Sequence, residues 1–416
     1  MTSLRTLFVL TLLLVTGLIL AGCDVDPERG PAAGEPDSAS DAAASEASPT
    51  EVEPTATPTP DLSFEPEDLP SWARNWKNTD FSRRGVPLDE IGSGGVPPDG
   101  IPPIDEPKFV SYPEADPWLE DEEPVISFEH NGDVRAYPLQ IMTWHEIVND
   151  EVGGEPVMVT FCPLCNTAIA FERSFDDLGT LRFGTTGLLR HSDLVMWDDQ
   201  TESFWQQITG EAIVGELTGR ELKMLPASIV SYEEFKSAYS RGTVLSRDTG
   251  YSRSYGTNPY YGYDDIDSSP FMFRQVPDDA LPPMERVVTV EEGGEAVAYP
   301  FSKLEEQQVA HDTVGEREVV VFWQPGTTSA LDDRFIAQAR DVGATGVFEP
   351  VAGDRSLTFE VTDGTIRDRE TGSEWNLLGE AVAGPLNGAE LPEVIHGNHF
   401  WFAWAAFQPE TRIWEQ

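Results

Sequence analysis

The chain has 416 residues and a formal net charge of −46 at pH 7, from 73 acidic and 27 basic side chains. A polyanion without a visible basic patch is repelled by nucleic acid and by anionic lipid headgroups, which excludes both as expected partners. From about residue 66 onwards, aromatic and aliphatic residues are frequent enough for one large or two ordinary hydrophobic cores.

The first 23 residues are typical of a bacterial export signal. Arg5 precedes an apolar run that ends in Leu-Ala-Gly before Cys23, the order expected of a basic region, an apolar region and a small-residue cleavage site. The Leu-Ala-Gly-Cys end resembles a lipoprotein cleavage box, and this resemblance implies that Cys23 becomes the lipidated first residue. An uncleaved N-terminal anchor is the alternative. In both cases we expect an extracytoplasmic protein tethered to the cell membrane, on its periplasmic or cell-surface side.

Residues 24–65 are rich in Pro, Ala, Ser, Thr and acidic side chains and contain few large apolar residues. Such a segment buries too little surface to offset the entropy of ordering its chain. We therefore expect a disordered tether that holds the folded part away from the membrane, stiffened by its Pro-Thr run.

An internal duplication organises the rest of the chain. The sequence around Tyr137 recurs around Tyr299, and the sequence from Asp198 recurs from Asp368. The matched residues are Tyr137, Asp150, Phe161, Thr201, Ser203 and Trp205 in the first copy, and Tyr299, Asp312, Phe322, Thr371, Ser373 and Trp375 in the second. Such a long period indicates two fused copies of one unit. We assign residues 66–245 to a lead-in and the first copy, 246–285 to a Gly/Tyr/Asp-rich connecting loop, and 286–416 to the second copy.

Local patterns make each copy mainly β. Residues 124–139 alternate about Asn131-Gly132, a strong hairpin signal, and the runs at 156–162, 167–175 and 181–186 are typical of strands. Helical spacing predicts helices within 139–152, 227–240 and 332–342. The expected fold is therefore a β-rich α+β fold, with two tandem, diverged copies of one mainly antiparallel β unit packed into a single body.

Cys162 and Cys165 lie at a predicted strand-to-strand turn, where both sulfurs can converge on one metal ion. The residue after the second cysteine needs a positive φ, and Asn166 tolerates it better than other non-glycine residues. The second copy lacks this chemistry, because its sequence matches Cys162 with Trp323, Cys165 with Gly326 and His145 with Gln307. The pair is therefore not needed for the fold.

One Cys-x-x-Cys turn supplies two ligands, whereas a structural zinc site needs four. His145, on the predicted helix before the cysteine strand, is the best third ligand, and His396 or His399 can complete the site. Thiolates with imidazole suit copper, zinc or iron, so the sequence predicts a metal-binding or metal-dependent redox protein. No nucleotide cofactor is expected, because no phosphate-binding loop is present.

The alternative is a non-enzymatic binding module in which the cysteines form a structural disulfide. Thioredoxin-like exchange is the weaker chemistry, because that motif opens a helix whereas this sequence continues as a strand. Aromatic and acidic loops would then hold an extracellular ligand such as a glycan; the candidates are Trp205, Gln206, Arg247, Asp248, Tyr255 and Tyr260.

Several segments together resemble the prokaryotic domain-of-unknown-function family numbered 3179: GVPLDEIGSGG, DGIPPIDEPKF, HEIVND, VTFCPLCNTAIAF, SDLVMWD, SFWQQITGEAIVG, LSRDTGYSRSYG and HFWFAWAAF. The resemblance extends from about Asp80 to Ile413. It implies exported proteins, often lipoproteins, with no established activity. The chain departs from the family at Asn166, where glycine is usual, and at His191, where asparagine is expected.

Overall fold

A computed structural model describes residues 69–415. The predicted signal, the lipidation site Cys23 and the predicted tether lie outside the described residues. The structure begins with a lead-in that has little regular structure. Its elements are two 3-10 helices (Ser71–Asn75 and Leu88–Glu90), the strands β1 (Ile91–Ser93) and β2 (Phe109–Val110), and the helix α1 (Tyr112–Ala115).

The first half then runs through fourteen strands and two helices. They are β3 (Pro124–His130), β4 (Asp133–Pro138), α2 (Leu139–His145), β5 (Ile147–Val152), β6 (Glu155–Cys162), β7 (Thr167–Glu172), β8 (Ser174–Phe175), β9 (Gly179–Thr180), β10 (Phe183–Arg190), β11 (Asp193–Asp198), β12 (Phe204–Gln206), β13 (Ala212–Val214), β14 (Met224–Leu225), β15 (Ser228–Ser231), α3 (Tyr232–Ala238) and β16 (Thr243–Leu245).

The second half follows a long loop without regular structure. Its elements are β17 (Arg286–Glu292), β18 (Glu295–Pro300), α4 (Phe301–Gln307), β19 (Val309–Val314), β20 (Arg317–Gln324), a 3-10 helix (Ile336–Gln338), β21 (Ala344–Phe348), β22 (Val351–Ala352), β23 (Arg355–Ser356), β24 (Phe359–Thr362), β25 (Thr365–Asp368), β26 (Glu374–Trp375), β27 (Ala381–Ala383), β28 (Gly397–Phe400), α5 (Trp401–Phe407) and β29 (Arg412–Ile413).

Both halves use one order of elements. The series β3-β4-α2-β5-β6 and the series β17-β18-α4-β19-β20 have the same lengths, namely 7, 6, 7, 6 and 8 residues. A four-stranded antiparallel meander follows in each half, β10 to β13 and β24 to β27. Each half ends with a strand, a seven-residue helix and a short strand that pairs in parallel with β4 or with β18.

The same buried hydrogen bonds recur in the two halves. Trp205 Nε1 donates to Asp198 Oδ2 at 3.0 Å, and Trp375 makes the same bond to Asp368 at 3.0 Å. Both indoles are buried, where an unpaired N–H is costly. A tyrosine–aspartate bond between neighbouring hairpins is likewise found twice, Tyr137 to Asp150 at 2.7 Å and Tyr299 to Asp312 at 2.9 Å.

The strand register corrects one detail of the sequence comparison. The N–H of Phe161 donates to the carbonyl of Glu146, and the N–H of Trp323 donates to the carbonyl of Gln308. Phe161 therefore corresponds to Trp323, and the place of Cys162 is taken by Gln324. The sequence comparison was one residue out, because it followed the Phe161–Phe322 identity although the intervening hairpins have equal lengths.

The strands pair mostly in antiparallel sheets, which confirms the predicted β-rich α+β class. Two clusters of buried side chains include residues from both halves. One contains both Cys162 and Phe402, and the other contains both Tyr232 and Phe322. The halves therefore share their cores.

Two helix predictions were too long and one was wrong. Residues 139–152 form α2 and then β5, because Glu146 takes a left-handed conformation (φ 59°) that ends the helix. Residues 227–240 form β15 before α3. Within 332–342 only a 3-10 turn forms, since Ile336 donates its N–H to the connecting loop at Gly256 instead of to a helical turn.

The connecting loop, residues 246–285, is held by side chains from both halves. Trp144 donates to the carbonyl of Thr257, and Asn258 donates to the carbonyl of Asp333. In the middle of the loop the buried carboxylate of Asp264 pairs at 2.6 Å with Arg286, the first residue of β17. None of the helices in residues 69–415 combines the length and apolar character that a membrane span needs.

Candidate metal centre

The cysteine turn has the predicted form. β6 ends at Cys162, β7 begins at Thr167, and the N–H of Cys165 donates to the carbonyl of Cys162 at 3.2 Å. Asn166 has φ 52°, which confirms the expectation of a positive φ at this position. The turn therefore directs two neighbouring thiols into the interior.

Both cysteines are free and buried, with 2% of Cys162 and none of Cys165 exposed. The disulfide required by the binding-module interpretation is thus not present in the structure. Burial raises the pKa of Cys162 above its ordinary value and that of Cys165 well above it. Both groups are then neutral thiols at neutral pH when no cation lies between them.

Asp193 is the third member of the cluster. It is the first residue of β11 and follows a two-residue turn, His191-Ser192, in which both residues have positive φ (53° and 69°). A carboxylate oxygen of Asp193 and the two cysteine sulfurs all lie within 4.8 Å of one another. The tight turn thus brings a third potential ligand to the cysteine pair.

The Asp193 carboxylate is fixed through one oxygen only. Oδ2 accepts hydrogen bonds from Gln206 Nε2 at 2.6 Å and from the Ile208 N–H at 3.0 Å. Oδ1 is buried and has no hydrogen-bond partner in residues 69–415. Burial raises the Asp193 pKa to about 6, against the effect of these two donors and of the Cys165 and Cys162 thiols that face the carboxylate. A buried oxygen without a partner is costly unless a ligand satisfies it.

Glu146 lies beside this cluster at the left-handed end of α2. Its Oε1 accepts a hydrogen bond from the Tyr260 hydroxyl at 3.3 Å. Burial and, to a smaller extent, the nearby Asp193 charge raise the Glu146 pKa to about 8, against the effect of the Tyr260 hydrogen bond. The Glu146 charge in turn raises the pKa of Cys162, so the two side chains interact electrostatically.

These donors fit a tetrahedral ion. Zinc binds thiolate sulfur at about 2.3 Å and carboxylate oxygen at about 2.0–2.2 Å, which separates neighbouring ligand atoms by about 3.3–3.8 Å. The two sulfurs and the Asp193 oxygen, which lie within 4.8 Å of one another, would therefore need to move only slightly closer together to bind zinc. The three anions of Cys162, Cys165 and Asp193 could not all stay ionised in this buried place without a cation, so a bound ion would displace protons from the ligands.

The structure does not bring the predicted histidine ligands into this cluster. His145 uses both ring nitrogens elsewhere, with Nδ1 2.7 Å from the Pro102 carbonyl and Nε2 2.6 Å from the Tyr255 hydroxyl. Because the carbonyl can only accept, Nδ1 carries the proton and Nε2 accepts from the tyrosine. Burial lowers the His145 pKa to about 4, so the ring is neutral.

His396 and His399 lie apart from the cluster on the other side of the turn. His396 bonds to the Val394 carbonyl at 2.8 Å and contacts the Ser228 hydroxyl at 3.3 Å. His399 Nδ1 lies 2.8 Å from Thr167 Oγ1, and that hydroxyl donates to the Cys165 carbonyl at 3.2 Å. His399 thus stabilises the cysteine turn through Thr167.

The six side chains of the binding-module interpretation do not form one surface. Gln206 holds Asp193 and Tyr260 holds Glu146, so both support the cluster. Trp205 is fully buried in the scaffold. The other three lie around the connecting loop: Arg247 bonds to Gln140, Asp248 pairs with Lys108, and Tyr255 bonds to His145.

Sequence reasoning missed Asp193 and Glu146. Asp193 lies in SDLVMWD and Glu146 in HEIVND, two of the segments that carry the family resemblance. One available signal was length: β10 and β11 extend beyond β24 and β25, their counterparts in the second half. The other was the Glu146–Gln308 difference between the halves.

The connecting loop covers the cluster. Tyr260 bonds to Glu146, and the Tyr263 hydroxyl donates to the carbonyl of Leu164, between the two cysteines, at 3.0 Å. The tyrosine pKa values are raised by burial, that of Tyr260 well above its ordinary value, so both hydroxyls stay protonated and act as donors. The site is closed to solvent.

Comparisons with curated proteins and with solved structures gave no match. The model of one family, described as a protein of unknown function (DUF3179), matches residues 98–411. This range covers most of the chain and contains the cysteine turn, Glu146 and Asp193. The chain belongs to the DUF3179 family.

Proposed function

We propose that the protein holds one zinc ion in a closed site, with Cys162, Cys165 and Asp193 as ligands. The observation that carries this proposal is the buried Asp193 carboxylate, which has one unpartnered oxygen and lies within 4.8 Å of two free thiols. An ion there would satisfy the oxygen and compensate the charge of the thiolates. No other group of three potential ligand side chains approaches this closely within residues 69–415.

The donor set favours zinc over copper. Two thiolates alone suit copper(I), but an oxygen ligand is hard and suits a divalent ion of borderline character such as zinc. The raised thiol pKa values also disfavour a dithiol–disulfide function, because exchange requires an accessible thiolate.

Glu146 is the proposed fourth ligand. Its carboxyl group is buried, interacts electrostatically with both Cys162 and Asp193, and is held by a single hydroxyl donor. Four protein ligands and no open position are typical of structural zinc sites. A closed centre also agrees with the tyrosines that cover it.

We propose further that the two halves are diverged copies of one unit, of which only the first kept the site. The equal element lengths and the repeated Trp–Asp and Tyr–Asp bonds support this. Gln324 and Gln308 stand where the first half has Cys162 and Glu146. The second half therefore provides a natural example of the unit without ligands.

The setting we propose is the outer side of the cell membrane, with a lipid anchor on Cys23. The support is the signal and cleavage-box sequence at the N-terminus. Outside the cytoplasm, unprotected thiols tend to be oxidised, and a bound ion would keep this pair reduced.

The test is metal analysis of the chain from residue 66 onwards, purified without a nickel-affinity step. We expect about one zinc per chain, and its loss in Cys162→Ser and Asp193→Asn. His396→Asn is the matched control: it changes a buried potential ligand outside the cluster and should keep its zinc. If copper is found in place of zinc, the proposed identity of the metal is wrong. Metal-free wild-type protein after refolding with zinc, or zinc retained in Asp193→Asn, would refute the proposal.

A further inference from the structure

A second feature of the molecule is a cleft of about 650 Å³ between the two halves. The hairpin of β17 and β18 forms one wall, and the turn between β12 and β13 forms the opposite wall. The lining includes several apolar side chains, namely Ile208, Met224, Val394, Ile395, Trp404 and Phe407. This volume suits a small molecule and is too small for a folded partner.

The rim of the cleft is acidic. Four glutamates and only one arginine line it; the five are Glu211, Glu221, Glu291, Glu292 and Arg317. Two histidines, His396 and His399, add no positive charge at neutral pH, because burial lowers both pKa values. The lining therefore carries a negative charge next to an apolar wall.

Glu211 and Glu221 are the residues that most clearly lack a partner. They lie directly opposite each other in an antiparallel bridge, and in residues 69–415 neither side chain has an ion pair or a hydrogen bond. Arg190, which pairs with Glu90, lowers the Glu211 pKa from nearby without contacting it. By contrast, Glu292 pairs with Arg317 at 3.2 Å, and Glu291 accepts from Gln408 at 2.9 Å. Like charges placed across a β bridge are unfavourable, and a bound cation would relieve the repulsion.

We propose that this cleft binds a small organic cation, an amine that carries an aromatic or alkyl group. The ammonium group would lie between Glu211 and Glu221, and the apolar group would lie against the apolar wall beside Phe407, whose ring already has Arg190 over it. The charge of the rim excludes carboxylates and phosphates as ligands, and the apolar wall favours an amphipathic amine over a bare metal ion.

The cleft adjoins the cysteine cluster without being part of it. Ile208 lines the cleft, and its N–H donates to Asp193 Oδ2. His399 also lines the cleft and contacts Thr167, which bonds to Cys165. A ligand in the cleft would contact the back of the proposed metal centre, but its binding does not depend on whether a metal is present.

The second half supplies a matched control. Its glutamate bridge, Glu380 opposite Glu390, lines a cleft of about 350 Å³ against the hairpin of β3 and β4. Phe407 of the larger cleft is replaced there by Ala238, and Met224 by Glu393. The smaller cleft thus keeps the acidic pair but loses much of the apolar wall.

The experiment is calorimetric titration of the chain from residue 66 onwards with phenethylamine, compared with phenylacetate and spermidine. We expect saturable binding of phenethylamine at one site, weaker binding of spermidine and none of phenylacetate. The double variant Glu211→Gln, Glu221→Gln should weaken phenethylamine binding at least about fivefold, and added salt should weaken binding to the wild type. Glu380→Gln, Glu390→Gln should leave the affinity unchanged.

Three results would overturn the proposal: no phenethylamine binding, equal binding of phenylacetate, or equal loss in the two double variants. Glutamine has nearly the shape of glutamate and removes a repulsion, so thermal melting should show both variants folded. If Glu211→Gln, Glu221→Gln nevertheless melts early, the salt dependence and the phenylacetate comparison on the wild type still decide. The metal-free Asp193→Asn variant should still bind phenethylamine, which separates this proposal from the zinc proposal.

Discussion

Glu146 and Gln308 occupy the same position in two matching turns. Each follows a seven-residue helix and has a positive φ, 59° for Glu146 and 62° for Gln308. The Glu146 carbonyl accepts a hydrogen bond from the Phe161 N–H at 2.8 Å, and the Gln308 carbonyl accepts one from the Trp323 N–H at 2.9 Å. The backbone therefore does not require a carboxyl group at this position. Because only the first half has a buried acid at this position, the Glu146 carboxyl group needs a chemical explanation.

Glu146→Gln should separate the fold from metal binding. The variant has the residue that the second half already uses at this φ, so it should fold and should melt no lower than the metal-free wild type at pH 8. If Glu146 is the fourth ligand, zinc affinity should fall at least about tenfold. Competition with a fluorescent zinc chelator measures this, and Gln308→Glu serves as the control that leaves affinity unchanged. Wild-type affinity in Glu146→Gln would remove Glu146 from the ligand set.

The stability of the metal-free protein should depend on pH through Asp193. Burial raises the folded pKa to about 6 from 3.8, so folded protein keeps a proton that the unfolded chain has released. Protonated Asp193 therefore raises the free energy of unfolding by on the order of 3 kcal/mol below about pH 4, relative to high pH. This stabilisation is lost as the pH rises through about 6. Urea unfolding of wild type and Asp193→Asn across this range should show the difference in slope.

Zinc should reverse that trend. Because an ion at the proposed site would bind the deprotonated ligands, its stabilising effect should grow as pH rises from 5 to 8. Melting temperatures with and without equimolar zinc at each pH measure the effect, and Asp193→Asn should show none. A zinc effect independent of pH would mean that no ligand loses a proton on binding.

The paired tryptophans should contribute equally to stability. Trp205→Phe and Trp375→Phe each remove a buried 3.0 Å hydrogen bond to an aspartate and leave a small cavity. We expect each to lower the free energy of unfolding by about 1–3 kcal/mol. If one substitution were neutral and the other unfolded the protein, the two positions would not be equivalent.

The N-terminal sequence predicts the cellular location. Wild-type protein expressed with its signal should partition into the detergent phase, and Cys23→Ala should abolish lipidation. Limited proteolysis of membranes should then release an acidic domain by cleavage within residues 24–65. Cys23→Ala protein that still partitions with lipid after signal cleavage would contradict the anchor.

The sequence was informative wherever local chemistry decides structure. The Asn131-Gly132 turn has the expected positive φ values of 51° and 78°, and the cysteine turn with Asn166 formed as predicted. The sequence comparison also paired Trp205 with Trp375, and the two indoles make the same hydrogen bond to an aspartate. The two turns depend on turn chemistry and strand alternation, which are local properties.

The residues that make up the site are brought together by contacts between distant parts of the chain. Asp193 follows Cys165 by a long stretch of chain and reaches it only through the extra length of the β10–β11 hairpin. Histidines, chosen from the sequence for their chemistry, instead satisfy carbonyl and hydroxyl groups: His145 bonds to Pro102, and His396 to Val394. Which side chain faces a buried sulfur depends on tertiary packing, and one sequence does not contain that information directly.

The Tyr263–Leu164 hydrogen bond has a consequence for kinetics. Since it fastens the connecting loop over the cysteine turn, a bound ion could leave only after the loop has lifted. Release would then be limited by how often the loop opens, and its rate would not change with the concentration of an external chelator. If zinc is bound as proposed, its exchange for other metals in the surroundings would be limited by the same opening of the loop.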